Sequence, residues 1–420
     1  MKLGFFGRMA MALFASLVLG LSMTACGGGT VGYIWVLGQQ YNQIGGFKVD
    51  DYTGNLTQIV GAPFVSNGTN PVSLVVKSGG RYVFVINQGT TGTCSTCGNS
   101  TQNGAGASIA VYSVGGDGVL TFQQSYQPQG YVPIWAQMDP TGQYLYVLTK
   151  YSPSYNGGAN PWSGPNTDGN GAITIFSVDN STGRLFLVTN SQTQLNGVNT
   201  PFFEVGGNPL MMKTAGNCVL TIDGADQSVF PLAISGNQLA FTTTSKFFPG
   251  TVKMSSINSN GSLVVLTDST ANNVLVYTLG SSCNLVAANG GSTNSNALQG
   301  TNPVWSLIDS QGKYLYVLNA STLTSSVGTP YSTISAWTIN PTNDQLEANI
   351  LGAPFTVGSG PVCMVEDSSN QYFYVSNHND GTVTGKVIDP ATGILSNLSR
   401  GATFPAVGQA QCLALSGNVE

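Results

Sequence analysis

The sequence predicts an all-β chain, a seven-bladed β-propeller of four-stranded antiparallel blades, on three observations. The first is a strand of the form Tyr-apolar-aromatic-Val, spelled five times: Tyr33-Ile34-Trp35-Val36, Tyr82-Val83-Phe84-Val85, Tyr144-Leu145-Tyr146-Val147, Tyr314-Leu315-Tyr316-Val317 and Tyr372-Phe373-Tyr374-Val375. Such self-similarity marks an array of one repeated unit. The second is spacing. In four copies a proline (Pro71, Pro133, Pro303, Pro361) stands eleven residues before the Tyr, which fixes two strands and the turn between them. The third is the pair of ends. The array opens on a second-type strand at residues 33–37 and closes on a first-type strand at 411–415, so pairing the two completes one blade from both termini.

Each element of the unit has its own signal. The turns between first and second strands read Ser78-Gly79-Gly80, Asp139-Pro140-Thr141-Gly142, Asp309-Ser310-Gln311-Gly312 and Asp367-Ser368-Ser369-Asn370, the chemistry of tight hairpins. Third strands follow an apolar-x-x-aromatic-x-apolar pattern, as in Ile44/Phe47/Val49, Ile109/Tyr112/Val114, Ile173/Phe176/Val178, Val274/Tyr277/Leu279 and Ile334/Trp337/Ile339. Weaker copies are Val229/Leu232/Ile234 and Val383/Lys386/Ile388. Fourth strands open at Thr53-Gly54-Asn55-Leu56, Thr182-Gly183-Arg184-Leu185 and Thr392-Gly393-Ile394-Leu395. Admitting Cys218-Val219-Leu220-Thr221 and Leu263-Val264-Val265-Leu266 as degenerate second strands brings the count to seven. The repeat runs unbroken, so residues 33–420 form one domain.

Only 7% of the residues are charged, 13 basic against 18 acidic, so there is no basic stripe to neutralise phosphates and nucleic acid is not an expected partner. Lys2 and Arg8 flank an apolar run, residues 9–23, that fits a secretory signal over 1–25 and is short for a permanent span. It ends in Met23-Thr24-Ala25-Cys26, a lipobox-like sequence, with Gly27-Gly28-Gly29 as a tether within 26–32. Cys26 is thus the expected lipid attachment site, and the protein is expected to be exported and held on a bacterial membrane, on the periplasmic or cell-surface side, by acyl chains alone.

Export makes the other cysteines disulfide candidates. Cys94 and Cys97 are a local pair, while Cys363 and Cys412 fall in matching register on first-type strands of neighbouring blades; Cys218 and Cys283 have no assigned partner. No metal site and no cofactor are expected. The single histidine, His378, lies in a polar turn with Asp380 nearby, which makes the two the weak catalytic candidates. Long connections between second and third strands, at residues 88–107, 150–171 and 320–332, share one face with His378. The middle one carries Tyr151, Tyr155, Asn160, Trp162 and Asp168, a mixture that suits stacking on a sugar ring while polar groups bind its hydroxyls.

The Asp-x-x-Gly-x-Tyr-Leu-Tyr-Val units (139–147 and 309–317) and the Thr-Gly-x-Leu turns resemble the seven-bladed β-propeller lactonase family, which includes 6-phosphogluconolactonase-like and muconate-cycloisomerase-like propellers, and also the surface-layer propellers with Tyr-Val-Thr-Asn repeats. The resemblance implies lactone ring opening by His, Arg and Glu gathered near the channel. Here the residues after the blade-opening prolines are Val72, Ile134, Leu210, Val304 and Val362, with Arg81 and Arg184 at hairpin turns. The expected function is therefore a non-catalytic propeller that binds a carbohydrate or protein partner through its long-loop face. A lactonase-like hydrolase with an atypical site and a structural envelope component are the alternatives.

Overall fold

A computed structural model describes residues 29–90, 106–153, 170–195, 197–242, 246–288, 295–297 and 299–417. Seven antiparallel sheets, each of four main strands, form a ring, a seven-bladed β-propeller. Among the described residues the only helix is a 3-10 turn, Gln39–Tyr41, and no helix is long and apolar enough to cross a membrane. Counting from the blade that holds both ends, the inner strands are Ala410–Gly417, Pro71–Val76, Tyr131–Met138, Pro209–Ala215, Met254–Asn260, Pro303–Ile308 and Pro361–Glu366. The second strands are Thr30–Gly38, Tyr82–Asn87, Tyr144–Tyr151, Cys218–Asp223, Leu263–Asp268, Tyr314–Thr324 and Tyr372–Asn377. Blade 1 is closed by Thr30–Gly38 pairing with Ala410–Gly417, in the register Ile34↔Leu415.

Second strands are apolar over their first four residues or so, and buried along nearly their whole length, because neighbouring blades cover both their faces. All six residues of Tyr82–Asn87 and of Tyr372–Asn377 are buried. The outer strands bury only one residue in three, as in Leu56–Gln58, and read correspondingly polar. The single fourth strand expected from the sequence is divided in five blades: a second short piece returns to the far end of the third strand, as Phe64–Val65, Phe203–Gly207, Ser295–Ala297, Phe355–Val357 and Thr403–Pro405 do.

Two recurrent motifs acquire a cause. Asp139, Asp309 and Asp367 are buried at the hairpins between inner and second strands, where each carboxylate accepts the N–H groups four and five residues on (Gln143 and Tyr144, Lys313 and Tyr314, Gln371 and Tyr372) at 2.6–2.9 Å. The Tyr and Thr-Gly motifs are halves of one contact. Tyr33, Tyr82, Tyr316 and Tyr374 donate their hydroxyls to Gly116, Ser181, Gly393 and Gly54 carbonyls in the outer hairpin of the next blade, at 2.5–2.8 Å. Gly54 adopts φ +66° there, and a Cβ would stand 2.3 Å from the Tyr372 ring, so both conformation and space require glycine. The inter-blade layers thus carry both the core and its polar staples.

Candidate functional site

The face on which second strands end and inner strands begin carries His378, Asp380 and the long connections. Tyr151 ends the second strand of blade 3, with Lys150 Nζ 5.6 Å from the centre of its ring. Tyr155, Asn160, Trp162, Asp168, Cys26, Cys94 and Cys97 lie outside the described residues. The stretch 320–332, expected as a long loop, is mostly a projecting β-hairpin. Tyr314–Thr324 and Pro330–Ile339 stay paired as far as Thr324↔Pro330, because Thr322, Leu323, Thr324 and Tyr331 suit strands and Gly328, at φ +81°, turns the tip.

Asp380, placed beside His378 in sequence, does not orient it. Its carboxylate accepts from Ser359 N–H at 2.9 Å and Thr382 Oγ1 at 2.8 Å, closing its own turn. His378 Nδ1 instead lies 3.2 Å from the Ala410 carbonyl and 3.3 Å from Gln411 Nε2, both on the closing strand. The Ala410 oxygen can only accept, so Nδ1 carries the hydrogen and Nε2 is left as the ring's acceptor.

Gln411 begins a chain of amides. Its Nε2 donates to Gln39 Oε1 at 2.5 Å, Gln39 Nε2 donates to Asn70 Oδ1, and Asn70 Nδ2 donates to Gln88 Oε1 at 2.8 Å. Assigned head to tail, these bonds polarise one another and hold the row in place. All five side chains, His378 included, are half-buried, and they run along the channel mouth from blade 7 through blade 1 to blade 2. Among the described residues no set of three or more His, Cys, Asp or Glu is placed to hold a metal.

Below the mouth two tryptophans narrow the channel. Trp135 and Trp305 each stand two residues after a blade-opening proline, on blades 3 and 6, and their rings meet across the bore with centroids 5.4 Å apart. Beyond this pair, towards the opposite face, lies a cavity of about 310 Å³ walled by inner strands from all seven blades, with Gln137, Lys213, Asn258 and Glu366 among its polar lining. Sequence reasoning missed the amide row, the Trp pair, Lys213 and Glu366. Only the Trp pair carried a readable signal, its matching offset from Pro133 and Pro303.

Burial pushes Glu366 up to about 7, against the lowering effect of the Ser310 N–H that donates to it at 2.8 Å; Asp309 and Asp367 nearby add to the rise. A carboxyl raised in this way binds its proton more tightly folded than unfolded, so it costs stability as pH climbs from its ordinary value of 4.5 to about 7, and the loss is complete above that. Allowing for solvent screening, Glu366→Gln should add roughly 1 to 2 kcal/mol at pH 8 and nothing at pH 4. Urea titrations at both pH values read this directly, and an equal effect at the two would refute it.

The structure joins Cys363 to Cys412, with Cα atoms 5.3 Å apart, and pairs Cys218 with Cys283 at 5.8 Å. A family model described as lactonase, 7-bladed beta-propeller matches residues 30–155, which span blades 1 and 2 and the first half of blade 3. No curated protein matches the sequence. Solved structures do. A candidate 6-phosphogluconolactonase from Bacteroides fragilis is 15% identical, with 92% of this chain and 98% of that one covered and a TM-score of 0.65. One from Bacteroides uniformis is 13% identical, with 92% and 100% covered and a TM-score of 0.63. The periplasmic gluconolactonase PpgL of Pseudomonas aeruginosa is 14% identical, with 93% and 100% covered and a TM-score of 0.63. At such identities the likeness is one of fold, and what it establishes for this chain is the seven-bladed propeller.

Proposed function

We propose that this chain is an exported, lipid-anchored binding propeller whose channel mouth takes a neutral, hydroxyl-rich ligand, a carbohydrate, without turning it over. The observation that carries the reading is the amide row Gln411, Gln39, Asn70 and Gln88, with His378 beside it: fixed donors and acceptors on one face. Sugar hydroxyls each offer a donor and an acceptor, and amides answer both without the desolvation penalty of a charge. The two disulfides suit an oxidising compartment. Tyr151, at the rim, would add stacking area.

Glycan-array screening of the soluble domain should return a neutral saccharide. Gln411→Ala should weaken that binding about tenfold or more, since it interrupts the amide row and about 1.4 kcal/mol is a factor of ten. A purified domain that binds no glycan, or a Gln411→Ala variant that binds as the parent does, sinks the proposal.

Lactone hydrolysis is the second reading, favoured by the family-model match over residues 30–155. Ring opening needs a base and a donor for the oxyanion; His378 Nε2 and the neighbouring amides are the groups at hand. Under that reading gluconolactone is consumed by the parent protein and not by His378→Ala.

A further inference from the structure

The inner cavity behind the Trp pair is separate from the channel mouth and differs from it in charge. We propose that it is a binding site for a small organic carboxylate, entered from the face of the inner-to-second-strand hairpins and held by Lys213. Lys213 is the fifth residue of the blade 4 inner strand, half-buried in the cavity lining. The described residues give it no hydrogen bond and no salt bridge; the one ion pair among them is Lys246–Asp226. Burial alone depresses its pKa, with no carboxylate offsetting the penalty.

Lys213 is half-buried, and an ammonium held in such a cavity without a protein partner is partly stripped of water and favours a counter-charge. The matching inner-strand positions of blades 2, 3, 5, 6, 7 and 1 are Val75, Gln137, Asn258, Leu307, Val365 and Ala414, so the protein supplies amides and apolar wall but no counter-charge at that level. A ligand carboxylate would supply it. The side-chain amides of Gln137 and Asn258 line the same space, although the Nδ2 of Asn258 already donates to the Ser306 carbonyl at 2.7 Å and the Nε2 of Gln137 to Thr214 Oγ1 at 2.8 Å, which leaves the cation as the principal determinant. Glu366 lies at the hairpin end of the cavity and is protonated below about 7, so it does not repel an anion in mildly acidic conditions. The cavity of about 310 Å³ has room for roughly ten waters, the scale of a three- or four-carbon acid.

The test is thermal unfolding of the soluble domain at pH 6 with malonate, succinate, inorganic phosphate or glucose. Malonate or succinate at a hundredfold excess over its dissociation constant should raise stability by about 2.7 kcal/mol, and Lys213→Arg should retain the rise. Lys213→Met should abolish it while leaving the ligand-free protein at least as stable as the parent, because methionine fills the wall without a charge. No rise with either carboxylate, a rise kept in Lys213→Met, or a response to phosphate alone would each overturn the proposal. Glycan binding at the mouth should be unaffected by Lys213→Met, so failure here is distinguishable from failure of the carbohydrate reading.

Discussion

Replacing Cys363 and Cys412 together by Ser is expected to cost about 4 kcal/mol, the chain-entropy value for a closed loop of 49 residues. The bridge ties the inner strand of blade 7 to the closing strand of blade 1, the strand that meets Thr30–Gly38 by hydrogen bonds alone, so its loss frees the strand on which ring closure depends. Urea unfolding should show the midpoint of the double variant moving down with little change in slope, and reduction of the parent should reproduce part of the shift. The Cys218–Cys283 bridge joins blades 4 and 5, which the chain already links, yet it closes 65 residues and should be worth a similar amount. An oxidised parent no more stable than the Cys363/Cys412 double variant would show that the closure does not depend on the bridge.

Asp309→Ala is expected to cost about 3 kcal/mol. Its buried carboxylate is the acceptor for Lys313 and Tyr314 N–H at 2.6 Å each, and alanine would leave two hairpin donors, one of them buried, without a partner. Asp309→Asn keeps one acceptor oxygen and should recover about half. Equilibrium unfolding of the three proteins reads the series. A loss below about 0.5 kcal/mol for the alanine variant would mean that water replaces the carboxylate at this turn.

These motifs also show where sequence reasoning succeeds. The Asp turns, the Tyr strands and the Thr-Gly turns are local solutions to a problem that every blade shares, so the repetition exposes them before any coordinates are known. The polar signals fail for the opposite reason. Gln39, Asn70, Gln88 and Gln411 come from four strand ends more than three hundred residues apart in sequence at the extremes, and nothing local distinguishes them from surface amides. Lys213 is hidden likewise: only closure of the ring turns an ordinary lysine in a strand into one that lines an inner cavity. His378 was visible as the sole histidine, but its partner came from the closing strand and not from the adjacent Asp380, because Asp380 is used up by its own turn. Cys218 and Cys283 could be paired only once blades 4 and 5 were seen to abut.

Closure of blade 1 has a consequence for how the protein comes into being. Its second strand, Thr30–Gly38, is made well before its inner strand, Ala410–Gly417, with the other six blades between them. That blade therefore waits, with one edge of backbone N–H and C=O groups open, until Ala410–Gly417 is available to pair with it. A segment that mimicked Ala410–Gly417 would find the same edge and could pair with it, so a peptide of that sequence should act as a competitor of folding and leave the finished propeller untouched.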